Sequence, residues 1–65
     1  MTKPYVTVHT TILGEHTPVL VAVHPNGYEQ VSDRLEAETD HQEAKRLAVR
    51  WAEALGYEYR VPRHG

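Results

Sequence analysis

Hydrophobic and polar positions alternate along two stretches near the start of the chain. From Tyr5 to Ile12 the order is Tyr-Val-Thr-Val-His-Thr-Thr-Ile, with Val6, Val8 and Ile12 on one side and Thr10 between them. Residues 18–24, Pro-Val-Leu-Val-Ala-Val-His, repeat the alternation with Val19, Val21 and Val23 on one side. A period of two, rich in β-branched residues, predicts two strands. Between them lies Leu13-Gly14-Glu15-His16. Glycine at the first central position suits a two-residue type II′ hairpin. That turn sets Leu13 against His16, Thr10 against Val19, Val8 against Val21 and Val6 against Val23, which gathers the valines on one face.

The next segment, His24-Pro25-Asn26-Gly27-Tyr28, has proline where a type I turn takes it and a glycine free to adopt positive φ. It predicts a three-residue loop with a glycine bulge, Val31 opposite Val21, and a short third strand over 28–32. Residues 33–39 are polar and acidic and read as a loop. A helix follows. Asp40 stands as N-cap with Glu43 three residues on, the spacing of a capping box. Ala44, Leu47, Ala48, Trp51 and Leu55 form an apolar stripe, Arg46, Arg50 and Glu53 lie opposite, and Gly56 ends the helix. Tyr57-Glu58-Tyr59-Arg60-Val61 alternates again and reads as a last strand, stopped by Pro62. Residues 1–65 thus make a single α+β domain, βββαβ, a mainly antiparallel sheet with one helix packed on its valine face. The crossover makes the last strand parallel to the first and third, and it could lie beside either.

Composition narrows the function. At 65 residues with no cysteine, the chain has a thin core and no disulfide or thiolate chemistry. It lacks an apolar run of membrane-spanning length, and its first twelve residues lack the charged and apolar blocks of a signal peptide, so a soluble, cytoplasmic protein without membrane contact is expected. Five histidines, His9, His16, His24, His41 and His64, are many for this length. No two share the i, i+4 spacing of a helix-borne pair, so surface histidines and no metal site are expected. Ser32 is the sole serine, and it stands in no nucleophile turn. Glu36 and Glu38 sit where nothing would desolvate them. The expectation is a non-enzyme without cofactors.

The formal net charge is −2, but residues 29–43 hold six acids (Glu29, Asp33, Glu36, Glu38, Asp40, Glu43) against one base, Arg34. Residues 44–65 carry five bases against two acids. An acidic surface offered to a basic protein partner follows, with Glu29, Asp33, Glu36, Glu38 and Glu43 as the candidate contact residues. The competing surface is the sheet face away from the helix, expected to carry Tyr5, Thr7, His9, Thr11, Leu20, Ala22, His24 and Tyr28, whose aromatic rings could stack bases. Direct nucleic-acid binding is disfavoured by the scarcity of clustered Lys and Arg.

Asp40-His41-Gln42-Glu43-Ala44, opening a helix after three short strands, is similar to small antitoxin domains of the HicB type, whose glycine-marked strands are partly matched here. As a whole, the small, cysteine-free, acidic chain resembles phage-encoded inhibitors of the anti-CRISPR type. That resemblance implies a stoichiometric inhibitor, monomer or weak homodimer, that blocks the DNA path of a CRISPR effector or other nucleic-acid-handling complex in the host cytoplasm. No functional residue carries over by motif.

Overall fold

A computed structural model describes residues 3–62. Its elements are β1 (Tyr5–Thr10), β2 (His16–Val23), β3 (Glu29–Arg34), α1 (His41–Leu55) and β4 (Glu58–Tyr59). The strands form one sheet in the order β3-β2-β1-β4, antiparallel across β1, β2 and β3, with β4 parallel to β1. The expected α+β class and element order are met, and the last strand lies beside the first. The helix packs on one face of the sheet.

The first hairpin departs from its expected register. Val6 pairs with Leu20 and Val8 with Pro18, not with Val23 and Val21. The cause is the turn. Thr11 N–H donates to Glu15 O (2.9 Å), Gly14 N–H donates to Thr11 O (3.1 Å), and Gly14 has φ 83°. This is a type I turn closed by a left-handed glycine, so the loop holds Ile12, Leu13 and Gly14. The second hairpin repeats the device, as expected: Gly27 has φ 88°, and His24 N–H donates to Tyr28 O (2.8 Å). Ile12, expected inward, stands at the first tip fully exposed.

The register shift of three residues is odd, so it turns β2 over relative to β1. Val6, Val8 and Leu20 face the helix, whereas Val19 and Val21 face away from it. Those two valines are nonetheless buried, walled in by Thr7 and Tyr5 across the β1 ladder and by Arg34 and Val31 across the β3 ladder. The pairing of Val21 with Val31 is as expected.

Below the sheet, α1 docks through Ala44, Ala48 and Ala52, all buried against Val6 and Val8. Alanines at i, i+4 and i+8 let the helix axis approach the strands closely. The contact stripe is therefore rotated from the expected one. Trp51 packs half-buried at its margin, and Leu55 is 42% exposed. The Asp40 side chain accepts from Gln42 N–H (3.0 Å), as an N-cap does. Glu43 does not complete the capping box; its carboxylate is held by Arg46. At the other end Gly56, φ 74°, donates to Glu53 O, and Tyr57 N–H donates to Ala52 O (2.9 Å), a Schellman closure.

β3 runs two residues further than expected. A bulge at Ser32 separates the Val21–Val31 pair from Leu20–Asp33. The supposed loop beyond it follows β2: Leu35 N–H donates to Pro18 O (3.0 Å), and Glu38 and His16 exchange two backbone hydrogen bonds of 2.8 Å. β4, in contrast, is two residues long rather than five. Arg60 N–H donates to Val6 O (2.8 Å), but the Thr7 hydroxyl then takes the Arg60 carbonyl (2.7 Å). Regular pairing of β4 with β1 ends there.

Candidate interaction surfaces

β3 is an outermost strand, so the acidic run lies along one edge of the sheet and over the connection into α1. Its members are not equivalent. Glu29, at the start of β3, accepts the Tyr5 hydroxyl (2.6 Å) across the face away from the helix. Asp33 pairs with Leu20, which puts it on the helix side, and its carboxylate accepts Arg34 N–H (2.8 Å). Glu36 is exposed in the connection, and Glu38 is half-buried with its backbone tied to His16. Glu43 is matched by Arg46 at 2.6 and 2.7 Å, and that carboxylate raises the Arg46 pKa by hydrogen bonding and charge. Among the described residues, no basic side chain pairs with Asp33, Glu36, Glu38 or the capping Asp40, while Glu29 and Glu43 are engaged elsewhere.

The opposite face differs from expectation because β2 is turned over. Tyr5, Thr7 and His9 are there, but Leu20 and Ala22 face the helix side, and Val19, Val21 and Val31 take their place. Tyr5 is at the centre of a relay of side chains. The Arg60 guanidinium sits 4.2 Å from its ring centroid, and Arg60 in turn reaches Glu58 at 3.2 Å. Glu29, Tyr5, Arg60 and Glu58 therefore connect β3, β1 and the β4 end by alternating charge and ring. A cation–π contact of this kind contributes about 0.5–1 kcal/mol at an exposed site. It also covers one face of the tyrosine ring. His24 and Tyr28 leave the sheet face altogether and stack at the second hairpin tip, ring centroids 5.5 Å apart.

Sequence reasoning missed two features. One is the first hairpin tip, where Ile12 and Leu13 are 103% and 82% exposed. The signal was present: Gly14 closes a three-residue loop just as Gly27 does. The other is the edge-to-face contact of His16 with His41, 5.1 Å between ring centroids, made because Glu38 ties the helix entrance to the start of β2. His16 Nδ1 also lies 2.9 Å from Thr10 Oγ1. His9 and His24 are exposed, and His64 lies outside the described residues. Among the described residues no three His, Cys, Asp or Glu side chains come together as metal ligands, and no helix is long and apolar enough to cross a membrane. Burial raises the pKa of the Tyr59 hydroxyl.

No family model, curated protein or solved structure matches this chain.

Proposed function

We propose that this chain is a non-enzymatic protein-binding module, a small inhibitor that docks its acidic edge on a basic, nucleic-acid-binding groove of a larger complex. A CRISPR effector is one complex of that kind, and the site of action would be the cytoplasm of the host cell. The observation that carries the reading is the arrangement of carboxylates along β3 and the connection: Asp33, Glu36, Glu38 and Asp40 follow one edge, and among the described residues no basic side chain pairs with them. A groove built to bind phosphates holds a fixed positive potential. Carboxylates presented on a tied-down backbone can occupy it without being cleaved. Glu38 is so tied, by its two bonds to His16.

The tyrosine-bearing face supports a nucleic-acid reading less well, because Tyr5 has its ring covered by Arg60 and its hydroxyl bound to Glu29. The test is capture from a bacterial lysate on the immobilised chain, elution with a salt gradient, and mass spectrometry. A basic nucleic-acid-handling protein that elutes early in salt, and that Glu36→Lys with Glu38→Lys fails to capture, is the expected result. Capture lost instead through Tyr5→Ala with His9→Ala overturns the reading in favour of the opposite face.

A further inference from the structure

The connection from β3 to α1, residues 35–40, is fastened to β2 at two points. Leu35 N–H donates to Pro18 O, and Glu38 exchanges two backbone hydrogen bonds with His16. The second fastening is an isolated bridge, not part of a longer ladder. Segments held by so few bonds open locally at low cost, so the side chains beside the bridge bear on whether it stays closed.

Two imidazoles meet there. His16 opens β2 and pairs with Thr10, which puts its ring on the helix side of the sheet with Val6 and Val8. His41 is the first residue of α1. Their ring centroids are 5.1 Å apart with planes at 71°, edge to face, and both residues are half-buried. His16 Nδ1 lies 2.9 Å from Thr10 Oγ1, which fixes that ring against β1. The ring contact therefore joins β2 to the helix entrance alongside the backbone bridge at Glu38.

Charge decides how well these rings tolerate each other. Histidine side chains change charge between about pH 8 and pH 5. An edge-to-face pair sets the positive edge of one ring on the negative face of the other, which suits two neutral rings or a single charged one. Two imidazolium rings at this separation repel. His41 also stands at the helix N-terminus, where the peptide dipoles oppose a cation. The charged residues nearest in the chain are Glu15, Glu38, Asp40, Glu43, Lys45 and Arg46, and β1 contributes the uncharged Thr10 hydroxyl. Asp40 caps Gln42 N–H and Glu43 holds Arg46. Among the described residues no carboxylate pairs with either imidazole, so no ion pair offsets a second positive charge.

We propose that the His16–His41 contact is a pH-sensitive latch that holds the helix entrance and the acidic connection against β2 at neutral pH and releases them in mild acid. The sign follows from proton binding. The folded contact opposes charging both rings, whereas the unfolded chain takes up both protons freely. The contribution of the latch is thus present above the imidazole range and lost as pH falls through it. Release would free the backbone of Glu38 and unfix the carboxylates from Glu36 to Asp40. That bearing on the acidic edge rests on the binding reading above, and the latch itself does not.

The test is amide hydrogen exchange at Glu38 and His16 in the 15N-labelled full chain, at about pH 7.5 and about pH 5. The lower value keeps the carboxylates ionised. Protection, taken relative to the unfolded-chain rate at the same pH, should fall by about tenfold at both amides in acid. His41→Phe keeps a ring without a charge and should hold its protection at both pH values. His41→Gln removes ring and charge together and should show an equally flat profile, which decides the matter should the phenylalanine variant fail to fold by circular dichroism. Protection that is unchanged or rises in acid overturns the latch, as does a fall that persists in the folded variants. A Glu38 amide already unprotected at neutral pH overturns it too. No partner enters this experiment, so its failure leaves the acidic-edge reading to its own capture experiment.

Discussion

Ala48→Leu is the sharpest probe of how the helix meets the sheet. Ala48 is fully buried among Val6, Val8, Ala44 and Ala52. A leucine there adds three carbons where no solvent-facing direction exists, so the helix must lift or neighbouring side chains must leave their rotamers. Overpacking of this kind costs about 1–3 kcal/mol. A 65-residue domain has roughly 3–10 kcal/mol of stability in total. A loss of 2 kcal/mol would lower Tm by about 8–16 °C in a domain of this size. The assay is urea unfolding followed by far-UV circular dichroism, with thermal melts alongside. Ala54→Leu on the exposed side is the control, expected within about 0.5 kcal/mol of the native chain. Leu55→Ala should cost less than Ala48→Leu, because Leu55 is already 42% exposed. If Ala48→Leu is neutral and Leu55→Ala is the severe change, the helix faces the sheet through the leucine side and the packing described above is wrong.

Three further outcomes are expected. Asp40→Ala should cost about 0.5–2 kcal/mol in urea titration, because it leaves Gln42 N–H without its cap acceptor. Gly14→Ala should destabilise by about 1 kcal/mol through the positive φ alone, since a Cβ there meets no atom within 4 Å; an unchanged midpoint would contradict the left-handed turn. The raised Tyr59 pKa implies that the unfolded chain loses this proton first, so its contribution to stability is present below about pH 10 and falls as pH rises through the higher folded value. Tyr59→Phe should flatten that decline in Tm between pH 9 and about 11.

The elements were legible because each had local chemistry to mark it. Valine alternation gave the strands, Asp40 and Gly56 gave the helix ends, and Pro25-Asn26-Gly27 gave the second turn. The first register was misread because two turns can place Gly14 acceptably. Gathering all the valines on one face favoured the two-residue turn, yet the three-residue loop puts Ile12 at the exposed tip and splits the valines between the two faces. The expected helix stripe holds at Ala44, Ala48 and Trp51 but runs on to Ala52 instead of Leu55. Hydrophobicity weights Leu55 above alanine, whereas close approach to the sheet selects Ala52 beside Ala44 and Ala48. The shortness of β4 had no sequence signal at all. Where the chain leaves β1 it is held by the Thr7 hydroxyl donating to Arg60 O, a contact between residues 53 positions apart. The acidic run was visible as composition, but its division into engaged and unengaged carboxylates needed the positions of Tyr5 and Arg46.

The claim that the acidic edge stands in for phosphates is tested most directly by competition. The partner captured from lysate is titrated with its own fluorescently labelled nucleic acid at fixed concentrations of this chain, and fluorescence anisotropy reads the affinity. Mutually exclusive binding predicts that the apparent Kd for nucleic acid rises in proportion to added chain. It also predicts that Glu36→Lys with Glu38→Lys abolishes the rise, and that the effect weakens as salt shortens the screening distance below the ~8 Å of physiological ionic strength. A ternary complex with nucleic-acid affinity unchanged at saturating chain would contradict the account.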